Sequence, residues 1–183
     1  MRNKSRVLEE YLVTSARLGD KSAFAQLVEL RGPRLLAHAS RLLQNREEAR
    51  DVTQEAWLDI LRSLRSLRDP AAFPAWATRI VTRRCARFIK AQQKQRVLKA
   101  ELTQEVKLDA IEHPPDANDA EKVRAAISAL PPKQAATIAL FYLEDMSVGE
   151  IAMALDVPRG TVKTRLMHAR EKLKNVLKGD TDE

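Results

Sequence analysis

The densest chemistry in this chain is cationic. From Pro70 to Ala100 there is no acid, while Arg79, Arg83, Arg84, Arg87, Lys90, Lys94, Arg96 and Lys99 are basic. Arg79, Arg83, Arg87, Lys90 and Lys94 recur every three or four residues, so on a helix they form one stripe. Like charges at that spacing repel and weaken the helix. A stripe kept without neighbouring acids is suited to holding an anion; a solvated helical face is the plainer alternative. A second cationic set lies in Ser147–Leu173, which reads as two helices joined by Asp156-Val157-Pro158. Ser147 and Glu150 fit a capping box at the start of the first. The second presents Arg159, Thr161, Lys163, Thr164, Met167 and His168 outward. Arg and Lys reach guanine O6 and N7, Thr reaches a base or a phosphate, and a Met or Thr methyl meets a thymine methyl. The helix N-terminus itself favours phosphate. This is the pattern of a helix-turn-helix whose second helix enters the major groove. Arg165, Arg170, Lys172 and Lys174 are left for phosphates or solvent. Met167 in a core and His168 in solvent are the plainer readings of those two.

A third set is acidic. Asp51, Glu55 and Asp59 recur every four residues and share one helical face,; on charge alone that face reads as solvated. No catalytic constellation accompanies these sets. His38, His113 and His168 lie far apart, with no paired acid and no metal spacing,. A Gly-rich phosphate loop is also missing. The expectation is a protein that is not an enzyme and needs no cofactor or metal. Cys85 is the sole cysteine; it cannot form an internal disulfide and is most simply a small core residue. The net charge of +7 points to a polyanionic partner.

Helices must position these sets. With five glycines and without period-2 β-branched runs, an all-α fold is expected. Leu8, Tyr11, Leu12, Ser15 and Leu18 form a first apolar face. Phe24, Leu27, Val28 and Leu35, with Arg31 on the same stripe, form a second, with a kink or break expected at Gly32-Pro33. Ala49, Val52, Ala56, Ile60, Leu64 and Leu67 give the buried side of a helix over Glu47–Leu67. Asp69-Pro70 and Phe73-Pro74 bracket a loop, and Ala77, Ile80, Val81, Cys85 and Phe88 lie opposite the basic stripe. Residues 92–120 turn polar and end in Pro114-Pro115, which cannot sit inside a helix; Val97–Leu108 reads as a marginal helix and His113 as a linker residue. Beyond it, Val123, Ala126, Ile127 and Leu130, then Ala135, Ile138, Ala139 and Tyr142, then Val148, Ile151, Ala152 and Leu155, and finally Val162, Leu166, Ala169, Leu173 and Val176 are the expected buried positions. The expected organisation is two small helical domains, 1–95 and 119–183, joined by a flexible linker over 96–118. No apolar core of signal-peptide length and no stretch approaching ~18 apolar residues is present, so a soluble cytoplasmic protein without membrane insertion is expected.

Two blocks together carry a family resemblance. The first runs from Gly19-Asp20 and Ala23-Phe24 through Arg46-Glu47-Glu48-Ala49-Arg50-Asp51-Val52-Thr53-Gln54-Glu55-Ala56-Trp57 to Phe73-Pro74-Ala75-Trp76. The second comprises Leu130-Pro131-Pro132-Lys133-Gln134, Glu150-Ile151-Ala152 and Gly160-Thr161-Val162-Lys163-Thr164-Arg165-Leu166 with Ala169-Arg170. In order and spacing the chain resembles the extracytoplasmic-function (group 4) sigma factors of bacterial RNA polymerase. The resemblance implies a sigma-2-like and a sigma-4-like domain. It implies that Asp51, Gln54 and Glu55 dock on the core polymerase, which favours a docking role over a solvated one for that face. The loop from Arg65 to Ala75, with Phe73, corresponds to the segment that captures a flipped −10 base. Arg79, Arg83, Arg84, Arg87 and Lys90 correspond to the −10 and melting region, and Arg159, Thr161, Lys163, Thr164, Met167 and His168 to the −35 reader. An anti-sigma protein is an implied partner. One departure stands out: Arg83 and Arg87 occupy positions where the family usually carries Asn and Asp. This exchange adds phosphate affinity, removes groups that read or position a base, and implies an altered or looser −10 preference. Two rival readings are a two-domain regulator that binds duplex DNA without polymerase, and a sigma-like partner that titrates other factors without initiating.

Overall fold

A computed structural model describes residues 4–100 and 119–179, and every regular element among them is helical. The order is α1 (Lys4–Arg17), α2 (Lys21–Leu43), α3 (Arg46–Ser63), two 3-10 turns (Leu64–Ser66 and Pro70–Ala72), α4 (Phe73–Ala100), α5 (Asp119–Ser128), α6 (Pro132–Tyr142), α7 (Val148–Leu155) and α8 (Arg159–Gly179). Short polar side chains start the helices. Asp20 accepts from the amides of Ser22 and Ala23, and Asn45 from those of Glu47 and Glu48, satisfying donors that have no intrahelical partner. Between α2 and α3 the chain reverses at Gln44, whose φ of 54° is left-handed.

Helices α1 to α4 close round one core, in which Leu27, Leu35, Ala56, Ile60, Phe73 and Val81 are fully or almost fully buried. Helices α5 to α8 build a second, from Ile138, Ile151, Ala154, Val162 and Ala169. The expected buried set of α3 is found buried from Ala49 to Leu67. The two cores also meet: Ala75 of α4 lies in the second cluster, and Leu42 of α2 packs against both.

Three expectations are corrected. Pro33 does not break α2, which runs unbroken through it; the proline ring sits on the exposed side, and packing on both flanks outweighs the one lost donor. The buried face of α1 is Glu9, Leu12 and Val13, while Leu8, Tyr11 and Leu18 are exposed. The helix is rotated because Glu9 must meet a buried arginine, described below. Tyr142 is exposed as well. Helix α6 instead buries Ala135 through Leu140 without a break, because it is wedged between α8 and α2 and has little solvent side. Helix α4 extends to Ala100, past the expected domain edge at 95. The rest of the expected linker, including most of the Val97–Leu108 segment and His113, lies outside the described residues.

Candidate nucleic-acid and polymerase interfaces

The helix-turn-helix is assembled from local rules. Ser147 Oγ accepts from the Glu150 amide while the Glu150 carboxylate accepts from the Ser147 amide at 2.8 Å, the reciprocal cap expected from their spacing. Asp156, left-handed at φ 55°, ends α7, and α8 begins at Arg159. Val162, Leu166 and Ala169 face the core. On the opposite side Arg159, Lys163, Thr164, Met167 and His168 are exposed, with Thr161 half-buried. Thr164 Oγ1 donates back to the Gly160 carbonyl at 3.1 Å. Arg159 lies over Gly149 of α7, where an added Cβ would meet the guanidinium at 3.3 Å. Arg170 is engaged by the domain itself, with Nε donating to the Tyr142 hydroxyl at 3.0 Å and the guanidinium 5.2 Å from the Phe141 ring centre.

The cationic stripe on α4 is divided among different partners. Arg87 and Lys90 are exposed. Arg79 and Arg83 instead reach across to the second domain. Arg79 Nη2 lies 2.6 Å from Asp156 Oδ1 and Arg83 Nε 3.1 Å from Oδ2. These two guanidinium groups hold the Asp156 carboxyl below its usual range. The −10 candidates and the turn of the candidate −35 reader are thus clamped to one another, and the clamp passes through Arg83, a position where the family resemblance departs.

Two residues expected at the DNA are engaged within the protein in this structure. Arg84 points away from the stripe into α3, donating to Asp59 at 2.6 Å and to Glu55. Its hydrogen bonds lower the Asp59 carboxyl, and Asp59 raises Arg84 in turn. The one-residue offset from Arg83 is about 100° round a helix, enough to change its neighbours. Phe73 is fully buried, so it offers no ring face to a base. On the acidic face Asp51, Gln54 and Glu55 are all exposed, although Glu55 is the one paired with Arg84.

A buried polar seam between the domains was not foreseen. Arg31 of α2 is 3% exposed. Its Nε lies 3.0 Å from Glu9 of α1, and its Nη1 lies 2.8 Å from Glu144, just beyond α6. Arg34 adds a contact to Glu144 at 3.3 Å. Burial raises the Glu9 carboxyl against the pull of Arg31, and burial lowers Arg31. Nearby, His38 Nε2 is 2.9 Å from Thr82 Oγ1, which lies 2.8 Å from the Ala154 carbonyl of α7. Burial, then the charge of Arg41, pushes His38 down to about 3. The signal available beforehand was Arg31, a charge standing on an otherwise apolar stripe.

Set beside known proteins, this architecture has a clear class. Residues 27–95 match the family model "Sigma-70 region 2" and residues 120–173 match "Sigma-70, region 4". The sigma-E factor of Escherichia coli K12 is 30% identical over 178 residues, covering 91% of this chain and 93% of that protein. SigW of Bacillus subtilis is 29% identical, covering 91% and 95%. Among solved structures, the sigma factor RpoE of Bartonella quintana in complex with the anti-sigma factor NepR superposes with a TM-score of 0.64 at 23% identity, covering 85% of this chain and 96% of that one. CnrH in complex with the cytosolic domain of CnrY gives 0.63 at 24%, covering 96% and 99%. The class is the two-domain sigma-70 type. Within it, the chain belongs to the extracytoplasmic-function sigma factors, which direct RNA polymerase to promoters. No helix among the described residues is long and apolar enough to cross a membrane.

Proposed function

We propose that α8 reads the −35 duplex through Arg159, Lys163, Thr164, Met167 and His168, with Thr161 at its half-buried start. Arg79, Arg83, Arg87 and Lys90 then hold the melted −10 strand. Asp51 and Gln54 are the free part of the polymerase-docking face, since Glu55 is committed to Arg84. The single observation that carries this reading is the exposed polar row of α8 above a fully buried apolar row, in a capped helix-turn-helix. The chain acts by binding and performs no covalent chemistry of its own. It works in the cytoplasm, where its polymerase partner is.

The arrangement of the domains adds a condition. Elements named −10 and −35 lie about 25 base pairs apart, about 85 Å of duplex at ~3.4 Å per pair. Here α7 packs directly on α4, and Asp156 sits on Arg79 and Arg83. The closed form therefore cannot read both elements, and binding to polymerase requires the domains to separate. A groove between them of 390 Å³ is lined by Arg41, Arg46 and Arg124 with Ile127, Ala135 and Leu143. Its mixed cationic and apolar lining suits an acidic amphipathic segment of an anti-sigma partner.

The test is co-purification with core polymerase followed by run-off transcription from promoters randomised at −10. Polymerase binding with a shifted or relaxed −10 preference is expected. A duplex-binding regulator would bind operator DNA without polymerase, and a titrating partner would bind polymerase without opening promoters. Charge reversal at Asp51 that leaves polymerase binding intact would remove the docking assignment.

A further inference from the structure

Gly149 stands at the second position of α7, inside a helix, where glycine is less stable than alanine. Its backbone does not ask for glycine: of the glycines among the described residues, only Gly19 has a positive φ. What the missing side chain leaves is room. A Cβ built there would lie 3.3 Å from Nη2 of Arg159 and 3.7 Å from both its Cζ and its Nε. With three guanidinium atoms this close, the planar group lies broadside across the first turn of α7.

That placement sets Arg159 apart from the rest of its row. It shares a helical face with Lys163, one turn on, and both are exposed. Side chains of a helix lean toward its N-terminus, so from the first position of α8 the lean carries Arg159 off its own helix and onto α7. Lys163, Thr164, Met167 and His168 stay behind on α8. In a helix-turn-helix the second helix enters the major groove and the first crosses the DNA backbone. A guanidinium lying on the first helix is therefore beside phosphates and outside the groove where base edges are read. Its charge is also left free by the protein. Glu150, the one acid of α7, caps Ser147 and pairs with Arg6 at 3.2 Å, and Arg159 has no ion-pair partner among the described residues.

We propose that Gly149 is a positioning residue of the −35 reader. Its bare Cα lets the Arg159 guanidinium lie on α7, where it grips a backbone phosphate at the edge of the −35 element and leaves base reading to the rest of the α8 row. The inference rests on α8 being the −35 helix, and Lys163→Ala tests that separately. Holoenzyme is titrated onto −35 duplexes of specific and scrambled sequence at several salt concentrations. Arg159→Ala is expected to weaken both equally, about tenfold, the scale of one charge-assisted contact, with a salt slope shallower by about 1. Gly149→Leu, a side chain that helices accept, should do the same because it fills the guanidinium's place. Gly149→Ala, which asks the guanidinium to give by only a few tenths of an ångström, should act in the same direction and more weakly. Adding Gly149→Leu to Arg159→Ala should cost nothing further, since the two act through one contact. A loss from Arg159→Ala confined to the specific duplex would make it a base reader and overturn the proposal. So would a Gly149→Leu that binds as wild type, or one whose loss adds in full to that of Arg159→Ala. If Lys163→Ala weakens binding while the Arg159 and Gly149 variants do not, the positioning role alone fails. If none of them weakens it, the −35 reading of α8 fails as well.

Discussion

Replacing Glu144 by Gln tests how the two domains are held together. Glu144 bonds the Arg31 guanidinium at 2.8 Å, and their side chains are 13% and 4% exposed. The amide keeps the shape and one acceptor but removes the charge. A hydrogen bond with a charged partner contributes about 1.5–3 kcal/mol and a neutral one about 0.5–1.5; Arg31 remains charged and still paired with Glu9 at 3.0 Å, so the loss falls at the low end, about 1–1.5 kcal/mol. The contact from Arg34 is 47% exposed on the arginine side and adds little. The open-to-closed ratio of the free protein should therefore rise about tenfold. Dyes on cysteines placed at Arg50 and Lys172, both exposed and one on each domain, report the separation by energy transfer. Asp145→Asn is the control. It makes the same charge change next door, at a left-handed position (φ 52°) that Asn tolerates. If Glu144→Gln and Asp145→Asn open the domains equally, bulk charge rather than the buried seam sets the equilibrium, and the reasoning fails. Arg31→Met should go further, because it strands two carboxylates in the seam, a loss of about 3–5 kcal/mol when one side of a buried pair is removed.

His38 predicts a pH dependence. It is held well below its ordinary value of 6.5, at about 3, so the unfolded or opened chain binds a proton that the closed form refuses. Stability is then full above pH 6.5 and falls progressively as the pH drops toward 3. Thr82 on α4 bonds the ring, and the cavity the ring lines also holds Arg31, Arg34 and Arg41 of α2, Thr78 of α4 and Glu144. His38→Gln should flatten that slope in urea melts taken across the range; an unchanged slope would place the proton elsewhere. Lys163→Ala should weaken −35 duplex binding by ~1–3 kcal/mol if the ammonium contacts a base. If it contacts a phosphate, the loss should be uniform across sequences, with a salt slope shallower by about 1; fluorescence anisotropy on specific and scrambled duplexes distinguishes the two.

Local rules made much of the fold legible. The apolar period of α3, the capping box at Ser147 and the turn before Arg159 each follow from residues close in sequence. Tertiary partners decided what failed. A hydrophobic stripe read through Leu8 and Tyr11 is plausible in isolation, but α1 is set by Glu9 meeting Arg31, whose second carboxylate, Glu144, comes from the other domain. Arg84 belongs to the same basic run as Arg83, and only the position of α3 shows that it faces Asp59. The Asp156 clamp was invisible for the same reason: its partners are far apart along the chain and unite only when the two cores touch.

Burial of Cys85 has a practical consequence. Its thiol is 1% exposed and burial pushes it up to about 12, so the reactive thiolate is scarcely populated near neutrality. The chain's only cysteine is thus a poor target for oxidants or alkylating reagents while the fold holds. An oxidative stimulus would therefore not act through this thiol while the fold holds. The same silence means that cysteines engineered onto the surface can be labelled selectively in the native protein without first removing Cys85.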